Sequence, residues 1–151
     1  MKVGAYDFNR ILVGNYIDAC AIFRKTLWLE VGGYDEKMPH QGHEDWEFWI
    51  ALGILDIKFH HLNKITLEYH VSCNSMIRSF TDEMVLANQD YIVKKYSKQY
   101  YRNFQNGFLL SEKIEREFSE ILKSEKFVVN LFCKTFFGFK LFKLNTNKIL
   151  K

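Results

Sequence analysis

The sequence lacks the features that mark several large classes of protein. Among its 151 residues it has one proline and three cysteines, and Cys20, Cys73 and Cys133 stand far apart without the spacing of a metal site. We therefore expect reduced thiols in a reducing, cytoplasmic compartment. The chain does not open on a basic region followed by an apolar run, so no signal peptide is expected. No charge-free apolar run approaches the length that crosses a bilayer.

Motifs of several enzyme classes are also missing. The sequence has no phosphate loop of the G-x-G-x-x-G or G-x-x-x-x-G-K-[ST] type, no G-x-S-x-G turn and no D-x-D. His43-Glu44 begins like a zinc-peptidase helix, but Glu47 stands where the second histidine is required. A metal-dependent hydrolase is one alternative, with an ion shared by His40, His43 and Asp45. The other is that these histidines simply face water.

Negative charge is absent from the end of the chain. Residues 126–151 carry six lysines and no acid, and subtracting these six charges from the +3 of the whole chain leaves −3 for residues 1–125. An acidic body argues against nucleic-acid binding, which needs a basic face. For the tail, Phe127–Leu144, two interpretations are open. It is either a helix packed on the domain or a segment that adheres to an anionic membrane surface through phenylalanine and lysine.

The most informative stretch is GGYDEKMPHQGHEDWEFW, residues 32–49. The glycine pair at its start predicts the end of a short helix over Thr26–Val31, and apolar spacing predicts a second helix from Glu44 to about Leu52, with Gly53 as its stop. Glu44 and Asp45 then lie in the first turn, at the positive end of the helix dipole. Either this pair only caps the helix, or, with the flanking tryptophans, it forms a sugar site.

The remaining elements predict an α/β fold. We expect strands over Tyr16–Phe23, Asp56–Leu62 and Lys64–His70, because branched and aromatic residues dominate or alternate there. Thr81 predicts the cap of a helix running to about Lys98. A second apolar stripe predicts a helix over Ser111–Lys123.

Four segments of the sequence, taken in order, resemble the C-terminal, acceptor-binding half of a family-two glycosyltransferase of the GT-A fold. The segments are NYIDACAIFRK (residues 15–25), VGGYDE (31–36), HEDWEFWIALG (43–53) and YHVSCNSM (69–76). The resemblance implies a partial GT-A fold, with a small mixed sheet, flanking helices and a helical C-terminal extension. Residues 1–104 would be the glycosyltransferase portion and residues 105–151 the basic, aromatic extension.

The resemblance also implies roles for individual residues. Asp45 would be the general base that takes the proton from the acceptor hydroxyl, as inverting transfer requires. Glu44 would hold acceptor hydroxyls, Trp46 would shape the pocket, and Gly33 would let the backbone approach the sugar. Asp35, in the VGGYDE segment, is also expected at the substrate. His70 stands where many members have an arginine, and we expect this histidine to reach a divalent metal ion instead of a phosphate.

The nucleotide-binding half of the family, with its metal-binding D-x-D, has no counterpart in these 151 residues. A divalent cation, Mg or Mn, would be held mainly by that half, so we expect the chain alone to be inactive or nearly so. It would be either a piece of a split or truncated gene or a fragment that pairs with an upstream polypeptide. Its substrates would be a nucleotide sugar and a glycan acceptor, for polysaccharide or glycan synthesis. We expect it in the cytoplasm, at the inner face of the cell membrane if the tail adheres. The alternative is a non-catalytic carbohydrate-binding or scaffold module.

Overall fold

The computed structural model describes residues 4–64, 68 and 79–143, and these residues form helices joined by irregular segments. Six helices lie within the described ranges. In chain order they are α1 (Phe8–Val13), α2 (Lys25–Val31), α3 (Glu44–Ile54), α4 (Asp82–Lys95), α5 (Ser97–Leu122) and α6 (Glu125–Phe137).

The predicted α/β class, a partial GT-A fold with a small mixed sheet, is wrong, because none of the described residues forms a β-strand. Within Tyr16–Phe23 the chain turns, with the Ala21 N–H donating to the Asp18 carbonyl at 3.0 Å. Asp56–Leu62 contains no ladder either, and most of the predicted strand Lys64–His70 lies outside the described residues.

The physical reason for this error is that alternation of apolar residues reports burial, whereas a strand also needs a neighbouring chain to pair with. Here the apolar side chains pack on helices instead. The Phe23 ring lies 4.8 Å from that of Phe48 in α3, and Phe59 stacks on Tyr6 with ring centroids 3.8 Å apart.

Helix α3 is the centre of the core. It begins at Glu44 as predicted, and its buried residues go round the whole helix rather than along one stripe, which is typical of a central helix. They are Trp46, Glu47, Phe48, Trp49, Ile50 and Leu52. Helices α1 and α2 pack against it.

Gly53 does not end α3 as predicted, since the helix continues to Ile54. Its role is close packing. A Cβ at this position would lie 2.1 Å from the Tyr6 hydroxyl and 2.5 Å from the Phe8 ring. The small residue therefore lets the N-terminal segment lie directly on the helix.

The predicted end of α2 and the predicted start of α4 are confirmed. Helix α2 ends at Gly32, which takes the left-handed conformation with φ +85°. Thr81 caps α4, its hydroxyl accepting from the Met84 N–H at 3.3 Å. The helix predicted over Ser111–Lys123 is the second half of the longer α5.

The structure divides into two compact units, Met1–Tyr100 and Tyr101–Lys151. The core around α3 lies in the first, and α6 lies in the second. The functional boundary predicted after residue 104 stays a prediction, because compactness alone does not define a functional domain. None of the described helices combines the length and the apolar character needed to span a membrane.

Candidate active site

Asp45 lies half-buried in the first turn of α3. Its Oδ2 accepts from the Asn15 side-chain amide at 3.0 Å, and its Oδ1 accepts from the Trp46 N–H at 2.8 Å. Burial raises the pKa of Asp45 above its usual value, although both hydrogen bonds act in the opposite direction. The carboxylate is therefore oriented by neutral donors and holds a proton more readily than a carboxylate in water.

Two titratable groups beside Asp45 are held neutral. Burial raises the pKa of Tyr34, and the negative charges of Asp45 and Glu44 raise it further. Burial lowers the pKa of His43 despite the same two carboxylates. At neutral pH the Asp45 carboxylate thus shares its surroundings with a protonated phenol and a neutral imidazole.

An open cleft of about 240 Å³ lies next to this turn. Its lining residues come mostly from the loop between α2 and α3, and they are Tyr34, Asp35, Glu36, Met38, His40, Gln41 and Glu44. The structure thus brings two of the predicted substrate-binding residues, Asp35 and Glu44, to one cleft. Glu44 is oriented by the Gly42 N–H, which donates to its Oε2 at 2.7 Å. Asp45 is not among the lining residues.

Asn88, on α4, fastens one end of the cleft loop and is fully buried. Its side-chain amide donates to the His40 carbonyl at 2.7 Å and accepts from the His40 N–H at 2.9 Å. The same amide nitrogen lies 3.3 Å from Nδ1 of His43. A buried amide that satisfies a loop backbone in this way fixes the loop without secondary structure.

Lys95, seven residues further along α4, fastens the other end. Its Nζ lies 2.6 Å from Asp35 Oδ2 and 2.7 Å from Oε1 of the buried Glu47, so it joins the loop to α3. Tyr91 donates to Asp35 at 2.9 Å, and the Tyr96 hydroxyl donates to Glu47. Asp35 is therefore a member of a closed polar network as well as a lining residue.

This network sets the charges at that end of the loop. Burial would raise the pKa of Asp35, but hydrogen bonds from Lys95, the Lys37 N–H and Tyr91 together lower it. Burial would lower the pKa of Lys95, but the carboxylates of Asp35 and Glu47 raise it. Both groups of the ion pair are therefore charged at neutral pH.

Two further predicted residues support the site from the core. Trp46 is 4% exposed, and its indole N–H donates to the Ile11 carbonyl at 2.6 Å, which ties the start of α3 to α1. Gly33 has φ +83°, and a Cβ there would lie 3.0 Å from the Trp28 ring. Their predicted contacts with substrate stay predictions.

No three histidine, cysteine or carboxylate side chains in the described ranges are arranged to hold a metal ion. His70 lies outside the described residues. His40 and His43, the ligands of the alternative hydrolase site, are both engaged by Asn88, His40 through its backbone and His43 through its ring.

Sequence reasoning missed three residues that organise the site: Asn15, Asn88 and Lys95. Each acts on a partner at least 30 positions away in the chain, so no local spacing could reveal it. The only signal is that Asn88, Tyr91 and Lys95 share one face of α4 by helical periodicity.

Comparison with protein families gave one match over most of the chain. The family described as glycosyltransferase-like family 2 matches residues 9–122, which include every described residue of the site. Searches of curated proteins and of solved structures found no match.

Proposed function

Because the chain belongs to glycosyltransferase-like family 2, we propose that it supplies the acceptor-binding and catalytic-base half of an inverting glycosyltransferase that uses a nucleotide-sugar donor. The proposal is supported chiefly by the burial, the pKa and the hydrogen bonds of Asp45. This residue is a half-buried carboxylate with a raised pKa, inside the matched region and oriented by the Asn15 amide, and no lysine or arginine of the described residues forms an ion pair with it.

Asp45 is the proposed general base. A base for a sugar hydroxyl must be ionised at neutral pH yet hold a proton well in the transition state, and burial moves a carboxyl pKa in that direction. The Tyr34 and His43 side chains beside it carry no charge that would neutralise the carboxylate. A carboxylate of this kind is more basic than an exposed cap residue.

The cleft beside Glu44 is the proposed acceptor site, and from it the reacting hydroxyl would reach Asp45, the next residue of α3, which does not line the cleft. Its volume of about 240 Å³ is just below the range of small-molecule pockets, which suits one sugar ring rather than a long glycan. Glu44 would accept hydrogen bonds from acceptor hydroxyls, and Asp35, held by Lys95, would offer a fixed second carboxylate. Trp46 would support this wall from the core, and Gly33 would allow the loop backbone to approach the ring.

The divalent cation of the family is not assigned to the described residues, which provide no ligand set for it. We propose that a nucleotide-binding half outside the described residues holds the ion and the donor. The 151 residues contain no D-x-D, and on this proposal they transfer no sugar alone.

We also propose that the enzyme acts in the cytoplasm, at the inner face of the cell membrane, in polysaccharide or glycan synthesis. The distribution of charge supports attachment by the C-terminal tail, since residues 126–151 contain six lysines and no acid.

The test of the proposed function combines the purified chain with a separately expressed nucleotide-binding half from a family-two glycosyltransferase. Release of nucleoside diphosphate is measured with an acceptor panel, for the native chain and for Asp45→Asn. We expect acceptor-dependent release only from the combination, and its loss in the variant. Equal release from both proteins would refute the role of Asp45.

The alternative function is a non-catalytic carbohydrate-binding or scaffold module that keeps the cleft beside Glu44 as a sugar site. Binding of the isolated chain to immobilised glycans separates the two. A module retains that binding and gives no transfer with any nucleotide-binding half, whereas the proposed enzyme half gives both.

A further inference from the structure

Helix α6 differs from an ordinary surface helix, because a polar side chain is buried and several aromatic side chains are exposed. Its buried positions are Asn130 and Cys133. Val128, Phe132 and Phe136 recur every four residues and so lie along another face, where they are 43%, 53% and 70% exposed. The polar side chain is inside and the aromatic rings are outside, which marks an interaction surface.

Asn130 explains how the following segment adds to this surface. Its Oδ1 accepts from the N–H groups of Leu141 and Phe142, and its Nδ2 donates to the Phe142 carbonyl at 2.7 Å. Gly138, with φ +77°, ends α6 and lets the chain turn back. Residues 139–142 are thus fixed against α6 rather than extending from it.

The result is an exposed cluster of four phenylalanines, Phe132, Phe136, Phe137 and Phe139, which we call the phenylalanine cluster. Their rings contact one another with centroids 4.9 to 6.0 Å apart, and each is at least 50% exposed. Aromatic rings presented together at a surface are typical of proteins that insert into the interface of a bilayer.

Positive charges next to the cluster indicate the kind of surface that it meets. Lys140 and Lys143 follow Phe139 in the segment that turns back on α6; both are exposed, and neither is paired with a carboxylate among the described residues. Residues 126–151 contain no acid. A second copy docking through the same face would set lysines against lysines, which disfavours self-association. A surface with dense negative charge over an apolar layer matches both features, and an anionic lipid bilayer has them.

We propose that the phenylalanine cluster and Lys140 and Lys143 form a docking surface for anionic lipid membranes, with the rings in the interface and the ammonium groups at the headgroups. This deepens the proposed attachment of the enzyme to a membrane by naming the surface and the lipid class. It does not depend on sugar transfer, so membrane docking and transfer succeed or fail separately.

The test is flotation of the full 151-residue chain with vesicles of phosphatidylcholine alone or with about one third phosphatidylglycerol. We expect binding to the anionic vesicles that weakens as salt is added. Lys140→Gln with Lys143→Gln should weaken it roughly thirtyfold, since each lysine near an anionic surface contributes about fivefold. Phe136→Ser should weaken it by roughly tenfold through lost insertion.

Matched controls come from α5. Phe104 is as exposed as Phe136, at 70%, and Lys113 pairs with Glu117 at 3.7 Å. Phe104→Ser and Lys113→Gln should bind like the native chain. The proposal is overturned if anionic vesicles do not bind at low salt, or if the control variants lose as much binding as the cluster variants. It is also overturned if light scattering shows a dimer that Phe136→Ser dissociates while vesicles are not bound.

Discussion

Replacing Asp45 with asparagine should separate activity from stability. In the folded chain burial raises the pKa of this carboxyl, so the folded state binds its proton more tightly than the unfolded state. For a raised pKa of this kind, the contribution to stability is fully present below the unfolded pKa and is lost as pH rises through the folded pKa. At neutral pH the ionised carboxylate therefore costs folding free energy, and the amide of Asp45→Asn removes that cost.

Three structural terms set the size of the net change in stability. The new side chain keeps one oxygen, which accepts from the Asn15 amide, now 3.0 Å from Asp45 Oδ2. The side chain no longer accepts from the Trp46 N–H, now 2.8 Å from Oδ1, because its other terminal atom becomes an NH₂ donor. It loses the attraction between a negative charge and the positive end of α3, which is worth about 0.3 to 1 kcal/mol. We expect these terms to leave the melting temperature within about 4 °C of the native value.

Activity should respond very differently. Loss of a positioned general base lowers kcat by about 10² to 10⁴, measured as nucleoside diphosphate release with the nucleotide-binding half supplied. Asp90→Asn, an exposed carboxylate on α4, is the matched control and should leave kcat unchanged. A variant that keeps more than about a third of native kcat would refute the assignment. A variant that unfolds would also refute it, because the loss of activity would then follow from loss of the folded core and not from loss of the base.

The remaining predictions concern residues around the site. Asn15→Ala removes a hydrogen bond that lowers the pKa of Asp45, so the acid limb of the kcat/KM profile should move to higher pH. Asn88→Ala leaves a loop N–H and a carbonyl unpaired and should lower the free energy of unfolding by about 2 to 4 kcal/mol in urea titrations. Gly53→Ala should cost about 1 to 3 kcal/mol, because its Cβ meets the Tyr6 hydroxyl at 2.1 Å. Gly107→Ala, in open space on α5, should gain about 0.5 to 1 kcal/mol; equal effects at the two glycines would contradict the packing argument.

Local signals in the sequence located the helix boundaries next to the site. The Gly32-Gly33 pair and Thr81 mark an end and a start because capping is decided by a few adjacent residues. The helical spacing of the apolar residues that follow placed Glu44 and Asp45 in the first turn of α3, where they are found. Gly53 was misjudged because a helical glycine permits close approach as well as termination, and only the position of Tyr6 tells the two apart.

Non-local features could not be predicted in this way. Tyr16 lies in a run of apolar residues and Phe59 in an alternating pattern, both typical of strands. In the structure both pack against aromatic and helical neighbours with no pairing of their backbones. The polar contacts that fix the cleft loop join α4 to positions 48 to 60 residues away. Such contacts follow from how the helices pack, and sequence periodicity carries no information about that packing.

The two carboxylates on either side of the cleft loop differ in a way that supports their separate assignments. Asp45 has a raised pKa and neutral hydrogen-bond donors, whereas Asp35 has a lowered pKa and the cation of Lys95. A carboxylate paired with lysine is a poor base, because protonating it breaks the pair. Environments that push two neighbouring carboxyl groups in opposite directions commonly assign them different tasks. On the proposed function, proton transfer would therefore belong to Asp45, and Asp35 would hold the shape of the loop while facing the cleft in which the acceptor would rest.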